Sequence, residues 1–148
     1  MTKDKLKITK IPGGLDPVKI IQDFIITTGF DKSEAEYKQK EDSFRWQAAI
    51  NEQVNLEIFL ENNDSPTTSI VYLGINIANI PIKKTQDFLV TALENADMLF
   101  DAKISIVNDA LVMSSTLLVA DISTNLLTEK FKAIKEQSDW LRKVVTGE

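Results

Sequence analysis

Neither cysteine nor histidine occurs among the 148 residues of this chain. That removes thiolate nucleophiles, disulfides, Cys/His zinc sites and imidazole acid-base catalysis together. Carboxylates, lysines, tyrosines and hydroxyls are what remains for chemistry. Glu94, Asp97 and Asp101 recur at helical spacing, but a cation site needs several converging oxygens, and no other stretch supplies them. Glu61 and Asp64 stand among asparagines in a segment that resembles a calcium loop only in composition, without its alternating ligands, glycine and closing glutamate. Arg45 and Glu57 fall on the outward faces of two strands expected to pair, which predicts a cross-strand ion pair worth about 0.2–1 kcal/mol. There is no Gly-rich phosphate loop, Gly-x-Ser-x-Gly elbow or dinucleotide fingerprint. The chain therefore reads as a non-enzyme, with no catalytic, cofactor-binding or metal-binding residue.

Charge and hydropathy narrow the partners. With 22 acidic against 17 basic side chains the formal charge is −5, which repels phosphate backbones and argues against nucleic acid. No run of about 18 apolar residues is present to cross a bilayer, and the charged N-terminal stretch lacks the apolar core of a signal peptide. A cytoplasmic protein without a membrane partner is expected. Apolar residues make up 43% and charged residues 26%, ordinary values for one globular domain with a real core. The breaker cluster Ile11-Pro-Gly-Gly14 sets off residues 1–14 as an N-terminal arm from a single domain over 15–148.

The elements follow from periodicity. Asp16-Pro17 starts a helix, Val18, Ile21, Phe24 and Ile25 form its buried stripe, and Gly29 ends it. Asp31 to Ser43 is charged throughout and reads as a loop. From Phe44 the period becomes two, with Phe44, Trp46, Ala48 and Ile50 on one face. A second strand buries Val54, Leu56, Ile58 and Leu60, and a third, Ser69 to Ile77, buries Val71, Leu73, Ile75 and Ile77. Thr85 to Phe100 reads as a helix whose face of Phe88, Leu89, Ala92, Leu93, Ala96, Leu99 and Phe100 must be buried. Two strands then flank Asn108-Asp109, a dipeptide suited to a tight turn. The last helix lines up Leu127, Phe131, Ile134, Leu141 and Val145. The fold class is α+β: an antiparallel five-stranded sheet with three helices in the order α-β-β-β-α-β-β-α.

Some apolar residues fall on the wrong side of these elements. Phe59, Ile70 and Tyr72 point away from the main core, and Val107 and Val112 repeat the pattern in the second hairpin. Either a helix covers that face, as in a three-layer arrangement, or it is a surface for a partner or an identical subunit. Trp140, with Leu126, Ala133 and Val144, lies about 120° from the main stripe of the last helix and poses the same choice. Phe59, Ile70, Tyr72 and Trp140 are the candidate partner-binding residues.

The order of elements, together with Leu93-Glu-Asn95, Ala102-Lys-Ile-Ser-Ile-Val-Asn-Asp-Ala-Leu-Val-Met113, the Leu117-Leu118 exit and a helix ending near Trp140-Leu141, resembles the type III secretion chaperone-like fold. That fold is shared by small acidic secretion chaperones and the YbjN-type domain family. The resemblance implies a protein that binds other polypeptides, often as a homodimer, without a cofactor; no family binding residue carries over, because the shared positions are core positions. The expected function is a chaperone-like protein-binding module, the alternative a small-molecule or regulatory sensor that uses the sheet face as a binding wall.

Overall fold

Asp16 caps the first helix as its place before Pro17 demands: its carboxylate accepts a hydrogen bond from Val18 N at 2.9 Å, satisfying one of the amides a helix start leaves unpaired. The computed structural model describes residues 16–30, 36–40, 43–51, 54–61 and 68–147. Helix α1 covers Pro17–Thr27, and Gly29 follows it with φ +87°, a left-handed conformation that costs glycine nothing. Ile20, Ile21, Phe24 and Ile25 are its buried face, while Ile26 is exposed. The N-terminal arm and the loop around Asp64 lie outside the described residues.

The strands are β1 (Glu36–Lys40), β2 (Ser43–Ala49), β3 (Asn55–Glu61), β4 (Ile70–Asn79), β5 (Lys103–Val107) and β6 (Ala110–Leu118), in the spatial order β1-β2-β3-β4-β6-β5, and every neighbouring pair is antiparallel. The five expected strands are all present in the expected order. The segment Asp31 to Ser43, read as a loop, contributes an additional edge strand, β1. Its Glu-Tyr-Lys-Gln-Lys sequence has no apolar alternation, so backbone pairing to β2, from Glu36 opposite Gln47 to Lys40 opposite Ser43, is what defines it. Charged residues are usual on such an edge, where they discourage pairing with other chains.

Alternation decides which way each strand faces. Phe44, Trp46 and Ala48 of β2, Leu56, Ile58 and Leu60 of β3, and Val71, Leu73, Ile75 and Ile77 of β4 are buried together, as a half-buried antiparallel sheet requires. In the β5–β6 hairpin, Asn108 and Asp109 have φ of 49° and 62°, the pair of positive values that a type I′ turn needs. Helix α3 (Thr124–Thr146) lies across β4 and β6, and α1 and α2 (Thr85–Ala96) both pack on α3. Phe131 of α3 meets Phe24 and Phe30 edge to face at 5.9 and 5.6 Å. Ser138, the polar interruption in the α3 stripe, is fully buried and donates to Ile134 O at 2.5 Å, so its hydroxyl is satisfied inside the helix.

All three helices therefore share one layer, and among the described residues no helix covers the opposite face of the sheet. Helix α2 departs further from its expected form. It ends at Ala96 instead of Phe100; Asn95 Nδ2 bonds back to Thr91 O at 2.8 Å, and the chain turns through Met98 and Leu99 to reach β5. Only Phe88 and Ala92 are buried, whereas Leu93 is 67% and Phe100 77% exposed. Helix α2 packs mainly on α3, so one edge of its apolar stripe is buried and the other is not. Leu93→Ala should accordingly change the unfolding free energy of dilute protein by no more than about 0.5 kcal/mol. A core position would cost about 2–5 kcal/mol. Urea denaturation followed by circular dichroism separates the two values.

Candidate functional site: two uncovered apolar surfaces

The first surface is the outer face of the sheet. Strand pairing sets Arg45 opposite Phe59, Phe59 opposite Tyr72, and Tyr72 opposite Thr116, so alternate residues of four strands form one row. The Arg45 guanidinium lies over the Phe59 ring, 5.8 Å from its centroid, and its Nε pairs with Glu57 Oε1 at 3.1 Å. This is the ion pair expected from the strand pattern, running diagonally because Glu57 stands opposite Gln47. Ile70 continues the surface at the other end of β4, and all three of Phe59, Ile70 and Tyr72 are half-buried.

Tyr72 lies flat along its own strand. A Cβ built on Gly74 would come within 2.6 Å of the Tyr72 ring and hydroxyl, so the ring occupies the place a side chain at residue 74 would take. Here the absence of a Cβ is what allows the contact. Burial pushes the Tyr72 phenol above its ordinary pKa; the Ser114 hydroxyl beside it works the other way, and the Glu57 carboxylate adds to the rise. The phenol is thus a neutral hydrogen-bonding group on an apolar shelf. Beside it is a shallow depression of about 250 Å³ lined by Glu57, Gly74, Asn76, Val107 and Val112, among others.

Trp140 is not part of this surface. It lies on α3, on the other side of the sheet, and is 37% exposed. The structure brings Phe59, Ile70 and Tyr72 together and places Trp140 apart, three residues beyond Gln137 and so on the same flank of α3.

The second surface, which periodicity assigned to the core, surrounds α2. Among the described residues ten large apolar side chains stand exposed, and six of them, Ile82, Val90, Leu93, Met98, Phe100 and Ile106, lie on α2, the turns at its two ends and β5 beside it. Between α2 and β5 runs a groove of about 310 Å³ lined by Leu89, Ala92, Leu93, Ile104, Ser105, Ile106 and Leu111. Beyond the helix the backbone of Phe100 is held at both ends by one side chain: its N donates to Gln137 Oε1 at 2.5 Å, and Gln137 Nε2 donates to its carbonyl at 2.8 Å. Asp101, at φ 53°, pairs with Lys130. The Phe100 side chain is therefore presented outward by a fixed backbone. The sequence signal for this surface was the width of the α2 stripe: Leu93 and Phe100 share the spacing of Phe88 and Ala92 but lie toward its exposed edge.

Of the carboxylates with helical spacing, Asp101 is paired with Lys130 while Glu94 and Asp97 are exposed. Among the described residues no group of three or more acidic side chains is placed to hold a metal ion, and no helix is long and apolar enough to cross a membrane.

These two faces sit on the type III secretion chaperone-like fold, an α+β architecture in which one helical layer covers one side of an antiparallel sheet. Solved structures with this fold are similar over most of their length. They include the HopA1–SchA chaperone–effector complex (TM-score 0.56, 11% identity, covering 85% of this chain and 92% of that one). The Yersinia pestis type III secretion chaperone SycH, in complex with a stable fragment of YscM2, gives TM-score 0.51 and 13% identity over 84% and 98% of the two chains. A protein of uncharacterized role from Methanothermobacter thermautotrophicus gives 0.59 and 11% over 86% and 96%. No protein-family profile matches the chain, and no curated protein matches it in sequence. At these identities the likeness establishes the fold.

Proposed function

We propose that this protein is a non-enzymatic, chaperone-like module of the cytosol that binds polypeptide partners and works as a homodimer. The observation that carries the reading is the outer sheet face, where the exposed Arg45 lies over Phe59, Phe59 stands opposite Tyr72, and Ile70 adjoins them, with no described helix over these three half-buried apolar groups. Aromatic and arginine side chains in such a setting are the usual anchors of protein interfaces. Solved proteins of the same fold occur in complexes of a chaperone with its effector and of a secretion chaperone with a partner fragment, which supports a polypeptide as the guest. A small-molecule role suits this face less well. Its depression of about 250 Å³ falls below the roughly 300–1,000 Å³ of ligand pockets and lies open, whereas an extended segment can run along the row.

The test is an array of peptides tiled from the proteome of the native host, probed with wild-type protein and with the double variant Phe59→Ala/Tyr72→Ala. Binding should weaken on the order of ten-fold or more in the variant, with the melting curve still cooperative, and should be unchanged in Trp140→Ala. Equal capture by wild type and double variant would remove the outer face from the account.

A further inference from the structure

Among the described residues one buried side-chain polar atom is left without a hydrogen bond, and it belongs to the outer sheet face. Ser114 stands opposite Gly74 and is fully buried; its hydroxyl completes no hydrogen bond, although the Tyr72 hydroxyl lies beside it. A stranded polar group costs a fold stability, so its presence calls for a physical reason. The Tyr72 hydroxyl in turn sits 2.6 Å from the place of a Gly74 Cβ, and Gly74 is part of the wall of the depression of about 250 Å³. The two hydroxyls therefore border that depression. Glu57 is the one charged residue lining it, among amide side chains and the aliphatic Val107 and Val112. Its Oε1 meets Arg45 Nε at 3.1 Å. Lys103, opposite Ser114 on the next strand, lines a separate hollow.

We infer that this depression takes a lysine or arginine side chain of the polypeptide guest, its cation between the Glu57 carboxylate and the Tyr72 hydroxyl oxygen and its stem along Val107 and Val112. The inference rests on the outer face as the guest-binding surface proposed above and adds what the guest must carry. Charge sets the sign: a hollow whose one charged residue is a carboxylate, in a chain of net charge −5, attracts a cation and repels an acidic side chain. Shape sets the class, because long basic side chains lay their stems along hydrocarbon and keep the charged end at polar groups. The neutral Tyr72 phenol can accept a hydrogen bond from the cation while donating its own proton, and the adjacent Ser114 Oγ is the acceptor for it. Guest binding thus supplies the missing partner, and the linked bonds strengthen one another. Next to the depression, Leu118, 41% exposed and opposite Ile70, extends the apolar patch of Phe59, Tyr72 and Ile70. An extended guest turns alternate side chains to one face, so a basic residue with an apolar one two positions away engages both.

The probes are the array peptides that wild type captures and Phe59→Ala/Tyr72→Ala does not, resynthesised with each lysine replaced by norleucine and each arginine by citrulline, which keep the stem and remove the charge. Fluorescence anisotropy should find in each peptide one basic position whose replacement raises the dissociation constant on the order of ten-fold or more. Glu57→Gln should cost the parent peptide a comparable factor and the neutral peptide nothing further, the signature of a direct pair. Ser114→Ala separates a binding role from a structural one. Loss of the stranded hydroxyl should raise the melting temperature by about 2–4 °C and yet weaken the parent peptide several-fold, with no effect on its neutral counterpart. Tyr72→Phe, which keeps the ring, should weaken the parent peptide in the same way. Neutral peptides that bind as tightly as their parents, or a Glu57→Gln variant that binds as wild type does, would overturn the basic anchor and leave the outer face as the guest surface. Unchanged binding of the parent peptide by Ser114→Ala would overturn the part assigned to the two hydroxyls. An array in which no peptide is lost by the Phe59/Tyr72 double variant would overturn the guest surface and this inference with it.

Discussion

Trp46→Ala should lower the unfolding free energy by about 3–5 kcal/mol, the range found when a large buried aromatic is truncated. Trp46 lies at the middle of β2 on the inner face of the sheet, 2% exposed. Its ring stacks on that of Phe44 with centroids 6.3 Å apart and planes 18° from parallel, and its backbone stands opposite Ile58. Removing the indole opens a cavity between the sheet and the helical layer that neighbouring side chains, already in contact, cannot close. Trp46→Phe should recover most of the loss, because it keeps an aromatic ring in the same place. The control is the adjacent residue: Arg45→Ala, on the other face, removes an exposed ion pair and one cation–π contact and should cost less than about 1 kcal/mol. Unfolding should be followed by far-ultraviolet circular dichroism, since the variant leaves Trp140 as the only indole. A larger loss at 45 than at 46 would mean that β2 is out of register by one residue, which turns every side chain to the opposite face.

Arg142→Ala should cost about 1–3 kcal/mol, the penalty for stranding partly buried polar partners. Near its end β4 carries a bulge between Asn76 and Ala78, where the regular ladder breaks. Arg142, reaching from the last turns of α3, donates from Nε to Ile77 O at 2.7 Å and from Nη2 to Asn76 O at 3.3 Å. Nη1 bonds Asp139 Oδ1 at 2.9 Å. One planar guanidinium thus ties the final helix to the irregular part of the central strand. Arg142→Lys should restore only a part of the stability, because an ammonium cannot reproduce the fork. Hydrogen exchange should report faster opening of the last two turns of α3 in both variants, and unchanged exchange there would show that the bulge is held by its own pairing.

Asp139 adds a pH dependence to the same contact. Burial opposes its ionisation, but hydrogen bonds from Lys135 and Arg142, with their charges, outweigh that and hold its pKa below the ordinary carboxylate value of 3.8. A group whose folded pKa is lowered stabilises the fold fully above its unfolded pKa and ceases to do so as pH falls through the folded value. The stability difference between wild type and Asp139→Asn should therefore be constant at neutral pH and shrink only in acid, below pH 3.8.

Much of this architecture was legible along the chain because it depends on local rules. Asp16 and Pro17 mark a helix start, Asn108 and Asp109 tolerate the positive φ of a tight hairpin, and the period-two runs from Phe44 and Val54 place their apolar residues on one face whatever lies opposite. The Arg45–Glu57 pair followed from that alternation alone. What the pattern could not supply was the area available for burial. Charged residues between Glu36 and Lys40 concealed a strand defined by pairing with β2, and Leu93 and Phe100 carry the same spacing as Phe88 and Ala92 although only the latter two are buried. Phe59, Ile70 and Tyr72 had one address in the sequence and two possible fates, covered or open; the choice fell to the helices, which all gathered on the other side. Hydrophobic periodicity determines which residues share a face, because it is a property of the backbone repeat. Whether that face is buried depends on how much complementary surface the rest of the chain brings to it, and that is settled only when the elements pack.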